Sequence, residues 1–332
     1  MPTSEPVLVC DDVSKTFVTG SPGFGRSRVS AVHRVSLTVA PGESLGIVGE
    51  SGCGKTTLAR MLVGLERPDT GSIRLGGRDV TSARGRERRA LSREVQMVFQ
   101  DPYTSLNPRM TVLDLVSEPL VVHGLHRVAD ERRERVAELL GSVGLSPDMM
   151  SRYPHQFSGG QRQRIGIARA IALEPSVLVC DEPVSALDVS VQAQVVNVLR
   201  GLQERLGLAI VFIAHDLGVV RHMADRTAVM YLGSVVEDAD SATLFERPTH
   251  PYTQTLLSAS PRMDRSRRAL GERRAPLGEP PSPTNPPPGC RFHTRCPLAT
   301  DVCRTERPPL RPRESGGAVA CHHAEEAVGA VV

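Results

Sequence analysis

The chain has 332 residues, 40% of them hydrophobic, and a formal charge of +3. That is enough apolar material for a sizeable core, and the charge balance does not call for nucleic acid as a partner. Tryptophan is absent and aromatic residues make up 3%, which disfavours a sugar-binding or base-stacking surface. The longest apolar run, around 206–214, is far short of the roughly 18–20 residues needed to span a bilayer. The opening MPTSEPVLVCDDVSK lacks the charged-then-apolar order of a signal peptide. The expectation is a cytoplasmic chain, for which any membrane role must come through a partner.

In chain order, 7–9, 29–39 and 44–48 read as strands, the last two joined by a Pro41-Gly42 turn. A Gly/Ser-rich loop is expected over 20–30. A glycine-rich loop and a helix over 55–63 come next, then short strands at 72–75 and 95–99. The pattern is helical over 111–143, where Val136, Leu139, Leu140 and Val143 form an apolar stripe. A further helix is expected over 160–173. The apolar runs 177–180 and 209–214 read as strands buried on both faces, separated by a helix over 191–206. Strands alternating with helices imply a parallel α/β sheet. No motif occurs twice, so one functional unit per chain is expected. Beyond residue 260 the composition changes. Residues 262–274 are dense in arginine and 280–288 are rich in proline, which suggests a solvated connector leading to a small appendage.

Three segments carry chemistry. Gly49-Glu50-Ser51-Gly52-Cys53-Gly54-Lys55-Thr56 fits G-x-x-x-x-G-K-[ST] between an apolar strand and a helix, the context of a phosphate loop. Small residues let successive N–H groups point at an anion, and the helix N-terminus adds partial positive charge. Lys55 is expected to hold the β- and γ-phosphates and the Thr56 hydroxyl to ligate Mg²⁺. The run Val177–Asp181 followed by Glu182 is an apolar strand ending in two carboxylates, at the sheet edge where nucleotide crevices open. Asp181 is expected to hold Mg²⁺ through water and Glu182 to polarise the attacking water. In the third, Phe157-Ser158-Gly159-Gly160-Gln161, a serine and two glycines open a helix and make a second anion site. One chain needs one such site for ATP. Ser158 and Gly160 are therefore expected to contact the γ-phosphate of nucleotide held by another subunit.

The order of these segments, with Gln100, Ser185-Ala186-Leu187-Asp188 and His215, resembles the ATP-binding cassette (ABC) ATPases, Phe157 replacing the usual leucine of the LSGGQ segment. The resemblance implies a cassette over about 1–260: a RecA-like parallel-sheet core, an antiparallel β subdomain and a helical subdomain over about 105–170. A linker and a small Cys/Pro-rich appendage would occupy 261–332. It implies that Gln100 senses Mg²⁺ and the γ-phosphate, that Asp188 lies in the loop crossing the dimer interface, and that His215 contacts the γ-phosphate and orients Glu182. It also adds Thr57, Gly159 and Gln161 to the nucleotide contacts and makes Phe17 the residue that stacks on adenine. The segments Gln100-Asp101-Pro102-Tyr103-Thr104-Ser105-Leu106-Asn107-Pro108, Tyr153-Pro154-His155 and His250-Pro251-Tyr252-Thr253, and the tail from Pro286 to Pro297, resemble oligopeptide and dipeptide importer ATPases. The 96–108 run resembles the second subunit of their ATPase pair.

The implied cofactors are ATP and Mg²⁺. The implied partners are two transmembrane permease subunits, a second ABC ATPase subunit (a sibling or another copy) and, indirectly, an extracytoplasmic substrate-binding protein, with no nucleic acid. The implied location is peripheral, on the cytoplasmic face of the cell membrane. Exporter ATPases and DNA-associated relatives share the cassette, but the latter carry coiled coils or clamping insertions that this sequence lacks. A metabolic kinase would have no use for Ser158–Gln161.

Cys290, Cys296, Cys303 and Cys321 follow the spacing C-x₅-C-x₆-C-x₁₇-C, in a Pro-rich segment too short to build its own core. Such a segment commonly needs a staple, and four thiolates suit a [4Fe–4S] cluster. Structural zinc sites favour close C-x₂₋₄-C pairs, so zinc is the rival reading and packing thiols the third. His293, His322 and His323 are alternative ligands. The resemblance to peptide-importer ATPases, some of which carry a cluster here, favours iron and sulfide.

Overall fold

The computed structural model describes residues 5–19, 27–101, 105–259, 278–279, 281–313 and 316–324. Part of the expected loop over 20–30, the Pro102-Tyr103-Thr104 triplet and the arginine-dense 262–274 stretch lie outside the described residues.

The first elements are strands β1 (Leu8–Thr19), β2 (Ser27–Val39) and β3 (Ser44–Val48), helix α1 (Lys55–Leu62), strands β4 (Thr70–Leu75) and β5 (Arg78–Asp79), helix α2 (Gly85–Glu94) and strand β6 (Val95–Val98). Helices α3 (Val112–His123), α4 (Ala129–Ser142) and α5 (Gly159–Ile171) follow, then β7 (Val177–Asp181), α6 (Val189–Leu206) and β8 (Ala209–Ile213). The chain continues through α7 (Leu217–Met223), β9 (Arg226–Tyr231), β10 (Ser234–Asp240), α8 (Ser241–Glu246) and α9 (Pro251–Ala259). A short helix α10 (Asp301–Thr305) and two-residue strands β11 (Arg311–Pro312) and β12 (Ala318–Val319) lie in the C-terminal segment.

The large sheet has the order β11-β12-β10-β9-β3-β8-β7-β6, parallel from β9 to β6. Its central strands are continuous apolar runs because both faces are covered. Val177 and Val179 face one core with Val211 and Ile213, while Leu178 and Cys180 face the other with Ile210 and Phe212. The first core also takes in the antiparallel sheet β2-β1-β4-β5 through Leu8, Val35 and Ile73. The second takes in the helical layer through Leu115, Leu139 and Ile165.

Three local expectations are corrected. The helical stretch over 111–143 is two helices. Gly124, at φ 69, closes α3 in the left-handed conformation and sends its N–H back to Leu120 and Val121. β1 runs on to Thr19 because it forms a long hairpin with β2, paired as far as Thr19↔Ser27. The C-terminal segment joins the main sheet, with β12 pairing antiparallel to β10. No helix among the described residues is long and apolar enough to cross a membrane.

Candidate nucleotide site

The loop between β3 and α1 is set by close backbone approach. A Cβ on Gly49 would lie 2.2 Å from the Met230 carbonyl oxygen, and one on Gly54, at φ 106, would lie 2.0 Å from that of Ala31. Only glycine fits either position. The loop wraps the buried Lys55, whose Nζ donates to the carbonyls of Gly49 at 2.8 Å and Glu50 at 3.0 Å and to Cys53 Sγ at 3.8 Å. At the top of α1 the Thr56 hydroxyl donates to Asp181 Oδ1 at 3.1 Å. Burial raises the Asp181 carboxyl above the usual carboxylate range, helped by the charge of Glu182 and opposed by the Thr56 hydrogen bond and by Arg60 and Lys55. A buried carboxylate with one hydroxyl partner is an oxygen donor set that fits a hard dication such as Mg²⁺.

Glu182 follows immediately after the end of β7. Its backbone is held at φ 45, an uncommon conformation for a residue with a side chain and one that concentrates at working sites. Its N–H is tied to the Ile213 carbonyl at 2.9 Å. Gln100 Nε2 donates to Glu182 Oε2 at 2.8 Å, and His215 Nδ1 stands 3.7 Å from the same oxygen. The structure thus brings Lys55, Thr56, Asp181, Glu182, Gln100 and His215, drawn from 161 residues of chain, to one end of the parallel sheet.

The other expected residues have different partners. Ser158 caps α5: its Oγ accepts from Gln161 N–H at 3.3 Å and its own N–H donates to Gln161 Oε1 at 3.1 Å. This reciprocal capping box leaves Ser158 exposed at the helix N-terminus. Gly160 is buried, and a Cβ there would lie 2.2 Å from Val191 Cγ1, so α5 packs directly on α6. Asp188 caps α6 by accepting from Val191 N–H at 3.0 Å and Ser190 Oγ at 2.6 Å, hydrogen bonds that hold its carboxyl below the usual range. Phe17 is half-buried on β1, with Lys15 Nζ 5.5 Å above its ring. Thr57 is half-buried on α1, and Ser51 and Gly52 are exposed on the loop.

Sequence reasoning missed the outer wall of the loop. Tyr252 Oη accepts from Glu50 N–H at 2.8 Å, and Arg295 reaches both Glu50 carboxylate oxygens at 3.1 Å. Tyr252 lies in a segment noted in the sequence for its family resemblance, and Arg295 lies among the candidate cluster cysteines; neither was read as a loop contact.

The four C-terminal cysteines gather. Cys290 N–H donates to the Cys303 carbonyl at 2.8 Å, Thr300 Oγ1 is 3.6 Å from Cys303 Sγ, and Cys321 Sγ accepts from His323 N–H at 3.4 Å. Burial raises the Cys290 thiol, pushes Cys296 up to about 11 and pushes Cys321 up to about 12. Among the described residues, however, no three His, Cys, Asp or Glu side chains are grouped so as to hold a metal ion. The alternative histidine ligands have other partners. His293 Nδ1 is 2.8 Å from the Cys290 carbonyl oxygen, His322 Nε2 is 3.1 Å from that of Glu306, and His323 Nε2 is 2.9 Å from Thr300 Oγ1.

A phosphate loop, paired strand-end carboxylates and an exposed serine-capped helix on this sheet order define an ATP-binding cassette. The family model for the ABC transporter matches residues 32–185, and that for the oligopeptide/dipeptide transporter C-terminal region matches 236–303. The oligopeptide transport ATP-binding protein AppF of Bacillus subtilis is 49% identical, over 96% of this chain and 97% of that protein. The di/tripeptide transport ATP-binding protein DppF of Pseudomonas aeruginosa is also 49% identical, over 98% of this chain and all of that one. An ATP-binding cassette solved as a dimer in a post-hydrolysis state with ADP and Pi is 29% identical with a TM-score of 0.63, covering 70% of this chain and 98% of that one. The chain belongs to the ABC transporter family, among the ATP-binding proteins of oligopeptide and dipeptide transporters.

Proposed function

We propose that this chain binds and hydrolyses MgATP to drive peptide import, as a motor subunit on the cytoplasmic face of an ABC transporter. The observation that carries the reading is the convergence of Gln100 and His215 on Glu182, one residue beyond the Asp181 carboxylate that Thr56 of the phosphate loop engages. Thr56, Asp181 and Gln100 would hold Mg²⁺, which when bound neutralises charge on the transferring phosphoryl group. Glu182 takes a proton from water as the water oxygen bonds to the γ-phosphorus and the bond to the ADP oxygen breaks. Lys55 and the loop N–H groups stabilise the charge that develops. His215 keeps the Glu182 carboxylate facing the water.

The exposed Ser158 and the buried Gly160 open a helix with N–H groups directed outward, an arrangement suited to a phosphate carried by another subunit. The dimeric state of the related solved cassette supports that reading. Asp188 would line the dimer interface, Phe17 would stack on adenine, and Gly49, Gly52, Cys53, Gly54, Thr57, Gly159 and Gln161 would complete the contacts. The partners are then a second cassette, two membrane permeases and an external binding protein. The cargo is read from the relatives, named for oligopeptide and di/tripeptide transport.

The test is Lys55→Ala. It removes a charge-assisted contact to phosphate, and the affinity for MgATP should fall roughly 10- to 100-fold by titration calorimetry. Unchanged affinity would reject the assignment of the loop.

We also propose that Cys290, Cys296, Cys303 and Cys321 hold a [4Fe–4S] cluster as a structural staple. The support is the all-thiol donor set and the backbone tie within it, Cys290 N–H donating to the Cys303 carbonyl at 2.8 Å. A zinc ion would draw all four to about 2.3 Å from one centre; a four-iron cubane, several atoms across, holds its thiolates wider apart. Anaerobically purified protein should contain iron and sulfide at about four each per chain, and stoichiometric zinc in their place would overturn the assignment.

A further inference from the structure

Glu50 occupies an unrestricted position of the phosphate-loop pattern, yet its carboxylate lies in a segment built to attract a polyanion. The structure grips it at three points. Its N–H donates to Tyr252 Oη at 2.8 Å, its carbonyl accepts from Lys55 Nζ at 3.0 Å, and both carboxylate oxygens lie 3.1 Å from Arg295 Nη1. Arg295 comes from the C-terminal segment, 245 positions away in the sequence. Its side chain is only 4% exposed, against 30% for Glu50. It lies 5.9 Å from the ring centre of Tyr231 and 5.8 Å from that of Phe292, and its Nη1 is 3.4 Å from Tyr231 Oη. Tyr231, Tyr252 and Phe292 are all fully buried and pack against one another. The guanidinium is thus fixed before any ligand arrives and does not have to be ordered on binding.

We infer that Arg295 is a positioning residue for nucleotide. It neutralises the Glu50 carboxylate beside the phosphate site and, with Tyr252, sets the path of the loop backbone, so the C-terminal segment tunes ATP affinity. The inference rests on the ATP-binding reading above and adds to it a residue outside the cassette motifs. Without Arg295, Glu50 presents an unpaired negative charge to the incoming triphosphate. Without the Glu50 charge, Arg295 becomes a surplus cation next to the same site.

The experiment measures MgATP affinity and nucleotide-free thermal stability in the full-length chain for R295Q, Arg295→Lys, E50Q and the R295Q/E50Q pair. R295Q should bind MgATP about tenfold more weakly. Arg295→Lys, which keeps the cation and loses the planar guanidinium seated beside Tyr231 and Phe292, should fall between R295Q and wild type. E50Q should bind about threefold more tightly at low salt and lose that gain as salt rises. The double variant should return to within about twofold of wild type, because the charge that R295Q exposes is gone. Two results would overturn the inference: a double variant that binds as weakly as R295Q, or an R295Q that changes thermal stability while leaving affinity unaltered. Should R295Q fail to fold, E50Q decides alone, and weaker binding by that variant rejects the inference. Wild-type protein that fails to bind MgATP would instead reject the reading of the site itself.

Discussion

His250 is fully buried, its Nδ1 accepting from Tyr252 N–H at 3.0 Å and its ring 5.8 Å from that of Phe292. Burial pushes its pKa down to about 3, opposed weakly by a hydrogen bond to the Ala320 backbone. An unfolded histidine titrates near 6.5, so the unfolded chain takes up the proton first as pH falls. The associated stability is whole above about pH 6.5 and is lost progressively toward about pH 3. Between about pH 7.5 and pH 5 the cost is about 2 kcal/mol. Denaturant titrations at the two pH values should show that loss in wild type and a smaller one in His250→Gln; equal losses would exclude the histidine as the source. Legibility at this scale was uneven. Lys55, Thr56, Asp181 and Glu182 could be read because their chemistry demands fixed residue types at short spacing next to a strand or helix end. The Tyr252 and Arg295 contacts with Glu50 could not, because they join residues 202 and 245 positions apart and leave no local pattern.

Among elements, the ones the sequence announced best are those buried on both faces. β7 and β8 contain no exposed residue, and a continuous apolar run of four or five between turn signals has few other readings. α5 was legible through its serine cap, and its two glycines have a packing reason that only the structure supplies: Gly160 lets α5 close on Val191 of α6, and a Cβ on Gly159 would lie 3.1 Å from Leu187 Cδ2. β9 and β10 escaped notice because their pattern mixes apolar residues with charge. Glu237 on β10 is wholly buried, satisfied by the N–H groups of Thr249 and His250 and by Arg313 at 2.9 Å. A buried carboxylate paired this way looks like a surface residue in the sequence. The break between α3 and α4 was visible in principle, since Gly124 is the left-handed residue that ends α3, but the apolar periodicity continues across it.

For the molecule as a whole, the two cores divide the work. One fastens the antiparallel sheet to the phosphate-loop face of the parallel sheet, and the other joins the helical layer, the sheet and Phe292 of the C-terminal segment. Glu182 sits where they meet, at the end of a strand whose alternate residues feed both. Gln100 and His215 meet the Glu182 carboxylate at this point, and in the proposed mechanism both would feel a change at the γ-phosphate. The central claim is that Glu182 takes the proton of the attacking water. Its most direct test is steady-state ATP hydrolysis by Glu182→Gln in the transporter assembled in membrane vesicles, with MgATP affinity measured alongside. The account predicts retained binding and turnover lowered roughly 10²- to 10⁴-fold; turnover near that of wild type would contradict it.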